Sequence, residues 1–295
     1  MRRVLATLVL AASAVPGGGA AASALCYRAP GATAHEAYSA ARGGDGAREP
    51  SGMAGDEVPE GEKQHPKGFT ATIPTWVHVI AAGPTLAEGN VPTSQVQQQV
   101  AVLNKSFAGG YDGAKTGFSF RLDGVTRTVN PEWHAMGYGS QTERRAKTAL
   151  RRGGPDTLNL YLTDGGGLLG WATFPSHVQA QQGIDGVVVN FGSLPGGAIE
   201  RFNLGFTATH EVGHWLGLYH TFQNGCSATG DQVTDTPPQR TPTRGCPEGK
   251  DTCTVDPGLD PIHNFMDYSD DPCYTEFTGG QTERMVEQYL HFRAP

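Results

Sequence analysis

The sequence has few charged residues and no cluster of basic ones. Asp, Glu, Lys and Arg make up 17% of its 295 residues, and the formal net charge is −7. Proteins that bind nucleic acid or an anionic membrane surface carry a patch of lysine and arginine that attracts phosphate groups. We therefore expect no nucleic-acid partner and no membrane partner.

The sequence also lacks a hydrophobic run long enough to cross a membrane. Two arginines near the N-terminus precede an apolar run of roughly a dozen residues, which Pro16 ends before the ~20 residues that a span needs. A basic head, a short apolar run and then small residues are typical of a secretory signal. We predict a signal peptide at residues 1–24 and a secreted, extracellular protein. An uncleaved membrane anchor is the alternative.

Cysteine is scarce, and its distribution is uneven. An exported chain uses most of its cysteines in disulfides, so an odd number leaves one thiol over. Cys26 stands alone near the N-terminus, and the other four cysteines, which allow three pairings, follow much later: Cys226, Cys246, Cys253 and Cys273.

Apolar periodicity divides the rest of the chain into two parts. Residues 25–68 have none, so they are predicted to be a pro-segment or a flexible lead-in. From residue 69 to 295 we predict one α+β domain with a twisted mixed sheet and helices on one side of it. The predicted strands are 73–81, 118–129, 157–163 and 186–192, and the predicted helices are 93–108, 141–150, 206–218 and 279–292.

The segment "HEVGHWLGLYH" carries the clearest chemistry. On a helix, His210 and His214 lie one turn apart on the same face, so both imidazoles can bind one zinc ion. Gly217 can end the helix at positive φ, which allows the chain to bring His220 back as a third ligand. Glu211 is placed to act as the general base on a water activated by the metal. Histidines that only pack or cap are the alternative.

Four further segments, taken with the histidine motif, carry a resemblance to a known family. With "NFMDYSDD", the histidine motif resembles the metzincin metallopeptidases, and "GDQVTDTP", "FTGGQTERM" and "LLGWATFP" resemble the pappalysin family in its compact, ulilysin-like type. The resemblance runs from about residue 168 to 285. It implies a catalytic domain of two subdomains, with the zinc helix in the cleft and a loop-rich, disulfide-bonded C-terminal subdomain. It also implies that Met266 forms the methionine turn and that Tyr268 stabilises the oxyanion.

Other roles rest on the same resemblance. It pairs Cys226 with Cys253 and Cys246 with Cys273. It implies a structural calcium ion, for which we expect the ligands Asp231, Thr234 and Asp235; a merely solvated acidic loop is the alternative. It further implies that the edge of a strand pairs with the substrate backbone, and we expect this edge at Trp171, Ala172 and Thr173. From their place just behind the methionine turn, Asp270 or Asp271 is expected to attract a basic side chain beyond the scissile bond; solvated surface aspartates are the alternative.

Cys26 suggests a latency device. A thiolate is a strong zinc ligand and could fill the open coordination position until cleavage between residues 40 and 70 releases it. A spare thiol in a spacer is the alternative. The sequence thus predicts a secreted zinc endopeptidase that acts on protein or peptide substrates, is made as a zymogen and is a monomer. The rival interpretations are a non-catalytic binding or adhesion protein on the same scaffold and a protease restricted to one partner.

Overall fold

A computed structural model describes residues 57–180 and 182–295 of the chain. The predicted signal peptide, Cys26 and most of the predicted lead-in lie outside these ranges. Within them, no helix combines the length and the apolar character that a bilayer span requires.

The described residues contain one sheet of five strands. These are β1 Ala71–Ala81, β2 Phe118–Val129, β3 Leu158–Thr163, β4 Gly170–Ala172 and β5 Val187–Asn190, in the spatial order β2-β1-β3-β5-β4. Every neighbouring pair is parallel except β4 and β5, which are antiparallel. The predicted mixed sheet is confirmed. Strand β4 was not among the predicted strands, because three residues are too few to show a period of two.

Helices cover both faces of this sheet, so the prediction that they lie on one side is wrong. The helices are α1 Thr93–Phe107, α2 Pro131–His134, α3 Gln141–Leu150, α4 Phe206–Trp215 and α5 Gly279–Phe292. On β1, Val79 faces a core that includes α1 and α4, whereas Ile80 faces a second core that includes α3. The cause is visible in β3 and β5, which are buried at every position and therefore need cover on both faces.

Two local features bring the C-terminal half of the domain to the site. Helix α4 ends at Trp215, earlier than predicted, and Gly217 follows at φ 97°. Between Gly217 and α5 the chain has little regular structure and is cross-linked by the disulfides Cys226–Cys253 and Cys246–Cys273, the pairs that the resemblance implies. These bridges hold loops that the backbone hydrogen bonds alone would leave loosely fixed.

Candidate metal centre

Helix α4 aims two histidines at one point. The Nε2 atoms of His210 and His214 lie 3.1 Å apart, and the other ring nitrogen of each donates to a carbonyl: Nδ1 of His210 to Phe265 O at 2.6 Å, and Nδ1 of His214 to Leu218 O at 2.7 Å. The Nδ1–H bonds fix the tautomer and leave both Nε2 lone pairs facing each other. Two lone pairs at this distance repel each other unless a cation lies between them.

The third histidine reaches the same point through a tight turn. Gly217 N–H donates to His214 O at 2.9 Å and Leu218 N–H to Gly213 O at 3.0 Å, the pattern that ends a helix at a residue with positive φ. The turn places His220 Nε2 at 3.0 Å from His214 Nε2. Ligand atoms of all three histidines lie within 4.8 Å of one another.

These residues fit a zinc ion. Zinc in a tetrahedral site has Zn–N distances of about 2.0–2.1 Å, which requires ligand nitrogens about 3.3 Å apart. Burial and the neighbouring His214 lower the pKa of His210 well below its usual value of 6.5, so this imidazole is neutral at pH 7, as a metal ligand must be. All three histidines are buried.

The predicted methionine turn lies directly beneath α4. A Cβ atom added to Gly213 would come within 2.5 Å of Met266 Sδ, so the helix has a glycine where the methionine packs. The carbonyl of Phe265 accepts the bond from His210, and Met266 O accepts one from Thr221 N–H at 3.2 Å. The turn therefore holds the ring of the first histidine and the backbone next to the third.

Glu211 and Tyr268 both lie at this centre. Glu211 is buried, and its side chain packs against Gly170 of β4, where an added Cβ atom would come within 2.8 Å of its Cγ. The ring of Tyr268 lies 4.8 Å from the ring of His220 and 5.7 Å from that of His210, between centroids. A carboxylate and a phenol thus flank the three histidines.

Comparisons with known proteins agree with this geometry. The family model described as "Pregnancy-associated plasma protein-A" matches residues 157–290. An extracellular metalloprotease of Pyricularia oryzae is 49% identical over 226 residues, which is 76% of each chain, and extracellular metalloprotease 1 of Coccidioides posadasii is 44% identical over 75% of this chain and 78% of its own. The chain belongs to the pappalysin family. Mature mirolysin of Tannerella forsythia, solved with a cleaved peptide, is 30% identical and superposes with a TM-score of 0.64 over 77% of this chain and 99% of its own.

Family membership confirms the main predictions about activity. The protein is an extracellular, zinc-dependent metalloendopeptidase with protein or peptide substrates, and it has the α+β fold of mirolysin. The non-catalytic interpretation is thereby set aside. The signal peptide, the domain boundaries, the role of each site residue and the monomeric state stay predictions.

The predicted substrate strand of this pappalysin lies at the edge of the sheet, beside the metal centre. Strand β4 pairs with β5 on one side, and it is the last strand in the sheet order. Trp171 is buried and donates its Nε1–H to Glu143 at 2.6 Å, while Glu143 also accepts from Lys147 at 2.8 Å. Ala172 ends β4, and Thr173 N–H donates to Gly186 O at 3.1 Å. The buried ion pair of Glu143 and Lys147 thus holds β4 through Trp171, and the spacing of the motifs does not reveal this pair.

The two aspartates after the methionine turn have different surroundings. Asp270 forms a bidentate ion pair with Arg201, with both N–O distances at 2.6 Å. Asp271 is buried and accepts a bond from Leu204 N–H at 2.7 Å, just before α4. Burial raises the pKa of Asp271 to about 7. Asp271, but not Asp270, lines a cavity beside His210 whose other walls include Leu169, Phe202, Phe206 and Tyr268.

The three expected calcium ligands also have different surroundings. Asp235 accepts bonds from Thr278 Oγ1 at 2.7 Å and Gly280 N–H at 2.8 Å, so it caps the N-terminus of α5. Thr234 is exposed. Asp231 is buried; its Oδ1 accepts from Thr236 at 2.7 Å, whereas its Oδ2 has no hydrogen-bond partner among the described residues. Burial raises the pKa of Asp231 to about 7.

Asp267, between Met266 and Tyr268, is a structural residue of the site that sequence reasoning missed. Its carboxylate is fully buried and accepts bonds from Thr243 N–H and Gln239 Nε2, both at 3.0 Å. Gln239 in turn accepts from Thr221, next to His220, at 2.7 Å. This network joins the methionine turn to the third histidine through a loop residue that no motif contains.

Proposed function

We propose that His210, His214 and His220 hold the zinc ion and that Glu211 is the general base and acid of peptide hydrolysis. The observation that carries this proposal is the convergence of three Nε2 atoms, two of them made lone-pair donors by bonds from Nδ1–H to carbonyls. Zinc bound there would polarise the scissile carbonyl and lower the pKa of water, which is its usual role in hydrolases.

The side chains divide the remaining work. Glu211 takes one proton from the attacking water and delivers it to the nitrogen of the leaving amine, so one water is consumed for each bond broken. The hydroxyl of Tyr268 stabilises the negative charge that develops on the carbonyl oxygen. The substrate backbone adds to the edge of β4 that faces away from β5 through main-chain hydrogen bonds, with the peptide aligned at Trp171, Ala172 and Thr173.

The test is hydrolysis of a peptide library by the processed, zinc-loaded protein. Glu211→Gln is expected to lower kcat by about 10²–10⁴-fold with the zinc content unchanged, because proton transfer is lost while the ligands remain. Glu200→Gln is the matched control, since Glu200 is exposed on the surface. A folded, zinc-loaded Glu211→Gln protein as active as the control would contradict the assignment.

The position of Asp271 supports the proposal that the enzyme prefers substrates with a lysine or arginine just after the scissile bond. It lines the cavity next to His210, and its buried carboxylate is ionised more readily when a cation enters. Asp270 is already neutralised by Arg201, so we assign it no substrate role. Asp271→Asn is expected to reduce cleavage before basic residues by at least about 10-fold relative to cleavage before leucine. The control is Asp251→Asn in the exposed part of the acidic loop. An unchanged library profile would contradict this role.

A calcium ion at Asp231 is supported by the unpartnered, buried Oδ2 atom. Calcium prefers carboxylate and carbonyl oxygens, and a cation there would complete the coordination of a carboxylate that burial otherwise tends to protonate. Asp235 is a weaker candidate, because both its oxygens already cap α5.

The proposal that the protein is a zymogen rests on the sequence and on one relative. A structure of promirolysin from Tannerella forsythia matches 76% of this chain and 82% of its own with a TM-score of 0.63. Residues 25–68 stay the proposed pro-segment, and Cys26 the proposed latch. If the latch operates, a Cys26→Ser precursor is active before processing, whereas a precursor as inactive as the wild type would exclude it.

A further inference from the structure

Helix α5 carries a buried arginine that holds the turn between the second and third histidines. Arg284 is 6% exposed, and its Nε donates to Gly217 O at 2.8 Å. Its guanidinium also lies over the ring of Tyr219, 4.6 Å from the centroid. The Gly217 turn is thus held from below by a planar, charged group that packs and donates at once.

The position of this turn decides where two histidines point. Leu218 O accepts the Nδ1–H bond of His214, and His220 follows two residues later. The turn has little freedom to adjust, because a Cβ atom on Gly217 would come within 2.5 Å of Gln288 Cγ on the same helix α5. A shift of the Gly217 carbonyl would therefore move both the partner of His214 and the backbone of His220.

The charge of Arg284 is balanced from the N-terminal end of the described chain. Glu57 accepts two bonds from its fork, at 3.0 Å each, across 227 positions of sequence. A bidentate carboxylate orients a guanidinium as well as neutralising it. The next residue, Val58, is buried, and Glu62 and His65 continue the contact along α5 through His291 at 3.1 Å and Glu287 at 3.0 Å. Residues 57–65 therefore lie along the helix that supports the turn.

We propose that Glu57 is a positioning residue of the metal centre, acting through Arg284 on the Gly217 turn, and that the mature enzyme retains it. The inference rests on the proposed function, since it requires His214 and His220 to be zinc ligands. It narrows the site of processing from the interval between residues 40 and 70 to a bond before Glu57, so the proposed pro-segment would end before Glu57 instead of at residue 68. Removal of Glu57 would leave the guanidinium without the carboxylate that orients it and would weaken zinc binding.

The test compares zinc release from the processed, zinc-loaded protein and its variants, measured with a chromogenic chelator under native conditions. Partners that hydrogen-bond directly to a ligand contribute about 10- to 100-fold to metal affinity. Glu57 acts further out, through Arg284 and the backbone of the Gly217 turn, so Glu57→Gln is expected to release zinc about 3- to 10-fold faster. Glu60→Gln is the matched control: Glu60 lies on the same segment, pairs with Lys63 at 2.7 Å and is exposed. Its zinc release should equal that of the wild type.

This readout separates positioning from stability. A modest loss of global stability leaves nearly all molecules folded, so a merely structural role would not change zinc release from the native state. Equal rates for Glu57→Gln and Glu60→Gln would overturn the inference, as would an active mature form whose N-terminus, determined by mass spectrometry, lies beyond residue 57. A wild-type protein that retains no zinc would instead refute the proposed function on which the inference rests.

Discussion

Replacing Gly217 with alanine tests whether the turn beneath the third histidine is as constrained as its geometry indicates. The residue has φ 97°, where a β-carbon costs about 1–2 kcal/mol. The new methyl group would also come within 2.5 Å of Gln288 Cγ and 2.9 Å of Gln288 Cβ, atoms near the helix backbone that cannot easily move away. Overpacking of this kind costs about 1–3 kcal/mol. We therefore expect Gly217→Ala to lower the free energy of unfolding by about 2–5 kcal/mol.

The matched control isolates the steric part of this cost. Gly196 has φ 74°, and no atom of the described residues lies within 4 Å of an added Cβ atom, so Gly196→Ala is expected to cost only the backbone part, about 1–2 kcal/mol. The reduced entropy of the unfolded chain offsets both substitutions equally and cancels in the comparison. Urea unfolding of the metal-free proteins measures the difference, with the disulfides kept oxidised because their reduction would break two-state behaviour.

The same variant should lose metal. The turn carries Leu218 O, which orients His214, so zinc affinity is expected to fall by at least about 10-fold in chelator competition. Gly196→Ala should leave zinc affinity unchanged. If Gly217→Ala is no less stable than Gly196→Ala and binds zinc as tightly as the wild type, then the turn accommodates a β-carbon and does not constrain the position of the ligands.

Two further predictions concern Tyr268 and Asp231. Tyr268→Phe is expected to lower kcat by about 10- to 100-fold with little change in KM, because the hydroxyl contributes only where the oxyanion develops. A rise in KM with kcat unchanged would refute this role. For Asp231, the folded-state pKa of about 7 lies above the ordinary value of 3.8, so protons bind the folded form better and compete with calcium. Calcium should therefore raise the thermal midpoint more at pH 8 than at pH 6, and the dependence should vanish in Asp231→Asn. A calcium effect that is independent of pH would exclude Asp231 as the ligand.

The sequence predicted the parts of the site that depend on local geometry. The spacing of His210 and His214 places them on one helix face whatever surrounds the helix, and Gly217 marks the end of that helix through its own backbone freedom. The longer strands follow from the same local reasoning, since alternation or a continuous apolar run is visible within each of them.

The parts that could not be predicted depend on which segments meet. Asp270 was one of the two aspartates predicted to attract a basic side chain of the substrate, yet Arg201, 69 positions earlier in the sequence, pairs with it. Helices lie on both faces of the sheet because β3 and β5 are buried at every position. In the sequence, however, a short continuous apolar run also fits a buried helix, so it did not show on which faces of the sheet the helices lie. The fully buried Asp267 carries no motif of its own that would reveal its partner Gln239.

The last helix shows why the histidine motif is not sufficient to make the site. Arg284 lies within α5, and a second arginine, Arg293, directly follows the helix. Arg293 is fully buried, donates to Trp215 O at 2.8 Å and pairs with Asp185 at 3.1 Å. Arg293 also donates to Thr173 O at 3.3 Å, beside the proposed substrate strand. A buried guanidinium is costly unless its partners are in place, so this end of the chain is stable only with α4 and the sheet edge in the positions that supply those partners. The metal ligands and the substrate strand are therefore held in one arrangement by residues that lie outside the motif.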